Sequence, residues 1–179
     1  QSAKSSNENL FSAVSDDREE MEGFFWAMNS EDPEDSSTGW RKRLTFENAS
    51  KGVVDAVIHS KSVDGFKVDI TRCSCTFPGI SVKIFDKYIM DMEELYKRRN
   101  GKGLTFDVLE RSADGFPHIL YYNLPMPLFM TDRDCCFRMT KTVNDKGQTI
   151  YISQSIEHEA RPVREDNIRM KFFDFQIIE

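Results

Sequence analysis

The chain has 179 residues, 39% of them hydrophobic and 30% charged, which suits one folded domain with a core and argues against a disordered segment. A formal net charge of −6 argues against nucleic acid as a partner, because phosphate binding draws on a basic face. No apolar run approaches the ~20 residues that span a bilayer.

In chain order, residues 1–9 are polar and serine-rich and read as a disordered lead-in. From Leu10 to Met28, the positions Leu10, Val14, Met21, Phe25 and Met28 approximate one helical stripe, with Asp16, Asp17, Glu19 and Glu20 outside it. Residues 29–39, "NSEDPEDSSTG", read as an exposed acidic linker. Arg41-Lys42-Arg43 reads as solvated surface, as does Lys97-Arg98-Arg99.

Strands follow. "GVVDAVIHS" (52–60) and "FKVDITRCSCTF" (66–77) flank a turn at 63–65, and a change of phase near Thr71-Arg72 suggests a bulge there. Ser81 can cap a helical segment with the stripe Val82, Phe85, Ile89, Met92, Leu95 and Tyr96, which "NGKG" (100–103) ends. The remainder is read as β: 104–112, 118–124, 135–143, 149–159 and 167–178, the last with a parity shift at Phe172-Phe173 ascribed to a bulge. This order predicts an α+β fold in which a curved antiparallel sheet wraps around helices.

Each strand offers one mostly apolar face and one mixed face. Cys135, Phe137 and Met139 share a side of theirs, opposite Cys136 and Arg138; Ile150, Ile152 and Ile156 lie opposite Tyr151, Ser153 and Ser155. A packed core and the lining of an apolar cavity give the same pattern. The four cysteines, Cys73, Cys75, Cys135 and Cys136, lack zinc-clamp spacing and read as buried free thiols in a reducing compartment. An intracellular, cytoplasmic location is favoured, with an organelle as the alternative if a targeting peptide has been removed ahead of Gln1.

The loop "PMPLFMT" (125–131) is the sharpest feature. Pro125 and Pro127 remove backbone donors and stiffen it, and Met126, Leu128, Phe129 and Met130 follow no alternation that a sheet would bury. Such a run packs over a sheet edge, lines an opening, or meets a membrane or a partner. Asp132, Arg133 and Asp134 come straight after it. Glu157, His158 and Glu159 are the best acid–base candidates, yet they sit at a polar strand end and read as a solvated or salt-bridged turn. No catalytic residue, metal site or cofactor is assigned, and the protein is read as not an enzyme.

"LYYNLPMPLFMTDRDCCFRMT" resembles the START family of lipid-binding domains, in which a strand, an apolar proline-bearing loop and Arg-Asp lead into the next strand. "CTFPGISVKIFDKYI", "LTFDVLE" and "IYISQSIEHEARP" are similar to further family segments in the same order, so the resemblance spans about 66–178. It implies a helix-grip fold with an apolar cavity over one domain, 10–179: helix 10–28, linker 29–39, and sheet with helical segment 52–178. It also implies a missing C-terminal strand and helix.

On this resemblance the ligand is a lipid or other apolar molecule, with Phe85, Ile89, Tyr121, Leu128, Phe129, Met130, Cys135, Phe137, Met139 and Ile152 as lining residues. Asp132, Arg133 and Asp134 would pin the loop's exit by charge-assisted hydrogen bonds. A membrane surface is implied as a transient partner, and a protein covering an open groove as another. Sterol-type members carry an arginine where this chain has Met139, so no sterol specificity is implied. The alternative reading is a non-catalytic interaction or accessory subunit that uses the same fold as a scaffold in a larger assembly, with a membrane-associated assembly as one form of it.

Overall fold

The computed structural model describes residues 17–48, 52–66, 68–99 and 104–179. They form two compact units that divide between Gly79 and Ile80. The lead-in 1–9, the first part of the predicted helix 10–28 and the "NGKG" stop lie outside the described residues.

The first unit contains α1 (Arg18–Ser30) and a three-stranded antiparallel sheet of β1 (Arg41–Asn48), β2 (Val53–Lys61) and β3 (Ile70–Thr76), in that order. Asp17 caps α1: its carboxylate accepts from the backbone N–H groups of Glu19 and Glu20, satisfying donors that the first helical turn leaves unpaired. Strand β1 was not expected. Its first three residues are Arg41, Lys42 and Arg43, and a strand half-exposed on both sides has too weak an alternation to be read. The bulge lies elsewhere than expected. It falls in β2, where the register with β3 shifts between Val54 and Val57 and Asp55 takes a φ of 53°.

The acidic stretch 29–39 is also more fixed than a linker. Lys61 donates to both carboxylate oxygens of Glu31 (2.8 and 2.7 Å), and the indole of buried Trp40 donates to the same group (2.7 Å). Glu34 meets Lys42 at 2.7 Å and buried His59 at 3.1 Å, while Arg72 donates to the Glu31 carbonyl. Charge that looked like solvated loop is thus spent on holding the segment to the sheet.

The second unit has α2 (Val82–Met90), α3 (Met92–Arg99) and a sheet ordered β4 (Thr105–Arg111), β5 (Pro117–Leu124), β6 (Asp132–Val143), β7 (Thr149–Ser155) and β9 (Phe173–Ile178). These five are antiparallel neighbours, and short β8 (Asn167–Arg169) runs parallel to the start of β6. The single helical segment read from the sequence is two helices, broken at Asp91. The last strand is likewise two: 170–172 carries the chain from β6 to β7, so the parity shift at Phe172-Phe173 marks a change of neighbour rather than a bulge.

Leu120, Cys135, Phe137, Met139 and Tyr151 are buried on one face together with Ile89 of α2 and Phe106 of β4. Phe85, Met92 and Tyr96 of the two helices pack against them, with Tyr96 stacked on Phe106 at 4.5 Å. The opposite face buries a smaller set, Ile119, Tyr121 and Cys136, against Leu109 and Ile156. The fold class is α+β, as the sequence predicts.

Candidate functional site

The strand register decides which of the expected lining residues meet. Leu120 pairs with Phe137 and Tyr122 with Cys135, and side chains of paired residues point the same way. Phe85, Ile89, Cys135, Phe137 and Met139 therefore come together on the helix-bearing face. Tyr121 and Ile152 do not. Tyr121 pairs with Cys136 and Ile152 with Thr140, which puts both on the opposite face, out of reach of the other five. One residue of phase separates them from that group, and a face list drawn across strands whose register is unknown is blind to it.

Among the described residues, helix α2 is held to the sheet by one polar anchor amid the apolar contacts. Asp86 accepts from the Tyr151 hydroxyl and from Lys141 Nζ, the latter at 2.7 Å. Burial raises the Asp86 carboxyl's pKa, but these two hydrogen bonds outweigh it and hold the group below its ordinary value. Burial, reinforced by Asp86, pushes the Tyr151 phenol upward, so it stays a donor.

Loop 125–131 joins β5 to β6. Leu128 and Phe129 are exposed at 86% and 104%, and Met130 at 49%, values found when a side chain touches almost nothing. Phe129 has a φ of 77°, a backbone region that costs a bulky residue about 1–3 kcal/mol. Asp132 closes the base of the loop by accepting from the Met126 N–H at 2.9 Å. Arg133 does less, donating to the Thr131 carbonyl two residues back.

Asp134 is buried and belongs to a network the sequence did not reveal. Arg169 grips it with two hydrogen bonds, Nε to Oδ1 at 2.7 Å and Nη2 to Oδ2 at 3.1 Å, and the Tyr121 hydroxyl donates to Oδ2 at 3.2 Å. Arg161 lies over the Tyr121 ring at 4.9 Å and pairs with Asp107. Together with Thr105, Asn123, Ala160, Pro162 and Arg164, Tyr121 and Arg161 line a cleft of about 320 Å³. Burial offsets part of the effect of Asp134 on Arg169, whose guanidinium is nonetheless held above its ordinary pKa. The signal was there: Asp107 and Arg169 are charges inside otherwise apolar strands, and each needed a partner that only the fold supplies.

The acid–base candidates separate. Glu157 and Glu159 are exposed, while His158 Nε2 lies 2.9 Å from Glu110 and the Ala160 N–H donates to its Nδ1. That is a tied turn. The thiols divide as well: Cys135 and Cys136 are buried on opposite faces, but Cys73 and Cys75 are exposed, correcting the expectation of four buried thiols. The reason is position, since β3 is an edge strand and is exposed from Cys73 to its end.

A crystal structure of human STARD10 is similar to this chain, with a TM-score of 0.55 and 16% sequence identity over 88% of this chain and 58% of that one. The fold is START-like. At that identity the likeness speaks to the fold, and the chain spans a little over half the length of that structure. No protein-family profile matches the sequence, and no curated protein does. Among the described residues, no helix is long and apolar enough to cross a membrane.

Proposed function

We propose that the chain is a lipid-binding or lipid-transfer module that works without catalysis. The observation that carries this reading is the loop 125–131. A soluble surface has no use for Leu128 and Phe129 held fully in water at a backbone cost. A loop that enters a bilayer or closes over an acyl chain recovers that cost by burying them, at roughly 25 cal/mol per Å² of apolar surface. The START-like fold and the apolar helix-bearing face, with Phe85, Phe116, Tyr122, Met170 and Phe172 half-buried at its margin, support the same reading. The ligand is an apolar molecule, the membrane a transient partner, and Cys135 and the aromatics of the helix-bearing face part of the lining.

The test is extraction of a fluorescent lipid from donor vesicles. The chain should carry the lipid to acceptor vesicles, and Phe129→Asp should remove most of that transfer. Transfer unchanged by the substitution contradicts the role given to the loop.

A second reading, an accessory subunit, is favoured by the first unit, where Leu44, Phe46 and Phe77 are exposed alongside Cys73 and Cys75. It predicts that the purified chain carries no lipid and self-associates at high concentration.

A further inference from the structure

Polar side chains also stand on the helix-bearing face of the second sheet at its β7–β9 side. There Ser153 is in register with Met139 of β6 on one side and with Asp174 of β9 on the other, so three side chains form one row across the face. Gln176, paired with Tyr151, lies beside them on the same side. Phe137 and Phe172, with rings 5.3 Å apart, and Met139 are the apolar neighbours on this face.

The polar members of the row are incompletely paired. Ser153 is buried to 6% exposure, and among the described residues no hydrogen bond to its hydroxyl is seen. Asp174 accepts from the Gln176 amide at 2.6 Å through Oδ2, while Oδ1 has no partner among the described residues. The nearby acid on this face, Asp86, is already committed to Lys141 and Tyr151. Among the described residues, Asp174 has no such cation. A half-buried carboxylate served by one neutral amide weakens the fold, where an apolar residue at that position would not. Its place beside a hydroxyl that no described residue engages, at the border of an apolar surface, is the arrangement that receives a donor from outside.

We propose that Ser153, Asp174 and Gln176 form the polar end of the ligand site, and that the ligand is an amphiphile with a protonated amine. This rests on the lipid-binding reading and names the headgroup. The chain lies along Met139, Phe137 and Phe172, and the ammonium donates to Asp174 and to the Ser153 oxygen. Burial pushes the Asp174 carboxyl above its ordinary pKa, with the Gln176 hydrogen bond opposing; a bound cation reverses that shift. An acidic amphiphile instead brings a second carboxylate to the first, which is disfavoured for the same reason.

The test uses the 179-residue chain and three probes of equal length, dodecylamine, dodecanol and dodecanoate, below their micellar concentrations at pH 7, with binding followed by calorimetry. The amine should bind about tenfold more tightly than the alcohol, as a charge-assisted hydrogen bond warrants, and dodecanoate should bind most weakly. Asp174→Asn, which keeps the shape, should bring the amine within about twofold of the alcohol while leaving the alcohol unchanged; Ser153→Ala should weaken the amine several-fold. Circular dichroism establishes that both variants fold. If the wild-type chain prefers dodecanol or dodecanoate, or if Asp174→Asn keeps the amine preference, the headgroup assignment is wrong and the lipid reading stands. If none of the three binds, both fall.

Discussion

On one face of the second sheet, Leu120, Cys135, Phe137 and Met139 are buried among aromatic rings and two helices. On the other, Asp134, Arg169 and Tyr121 make a hydrogen-bonded charged network, with Arg161 and Asp107 at its edge. The same strands build both, one residue apart. The apolar face is tolerant by nature: contacts are many, individually small, and can re-form around a guest of similar shape. The charged face is intolerant, because removing one partner strands the other in a poorly solvated place. A sheet organised this way has one face held by paired charge and one held by apolar packing.

This contrast can be broken from either side. The largest effect is expected for Asp134→Ala, which leaves the Arg169 guanidinium buried without its counter-charge and should cost about 3–5 kcal/mol in a urea melt. Replacing Asp134 and Arg169 together by apolar residues should cost much less than the two single changes summed. An additive result would mean that the pair does not act as a unit.

On the apolar face, Leu120→Ala should cost about 2–5 kcal/mol, and Leu120→Met under about 1.5 kcal/mol, because volume is kept. Equal losses from the two substitutions would show that the face is not closely packed.

The Asp86 anchor comes next. Tyr151→Phe should cost about 1.5 kcal/mol, the range for a hydrogen bond to a charged group. Because the Asp86 carboxyl is held below its ordinary value of 3.8, its contribution is complete above that pH and is lost as pH falls below about 4. Asp86→Asn should therefore flatten the acid limb of a stability–pH curve, and an unchanged limb would remove Asp86 from the account.

Asp174 has the opposite sign. Its raised folded-state pKa means that ionisation weakens the fold, with stability greatest at low pH and falling as pH rises through the shifted value. Asp174→Asn should raise the melting temperature at pH 7 slightly, and a clear loss would mean that the carboxylate is structural. Phe129→Asp should be the smallest change of all in stability, within about 0.5 kcal/mol.

Much of this architecture could be read from the sequence, and the failures have physical causes. Alternation placed Cys135, Phe137 and Met139 on one side, and turn residues marked the hairpin at "NDKG". Pro125 and Pro127 marked the loop whose exposure is now seen. Register could not be read, because alternation fixes the face of a residue within its own strand and says nothing about which face of a neighbour it joins; hence Tyr121 and Ile152 were grouped with residues on the far side. Nor could charge partners be read, since Asp134 and Arg169 are 35 residues apart and meet through a parallel pairing of three residues. Strand β1 was missed because its residues are mostly exposed, so burial had imposed no pattern on them.

The most direct test of the central claim is native mass spectrometry of the detergent-free chain, followed by extraction and identification of whatever is bound. The account predicts a reproducible adduct of lipid mass, lost on solvent extraction and restored by incubation with vesicles. A clean apo mass that no lipid shifts, from protein shown to be folded, would contradict it.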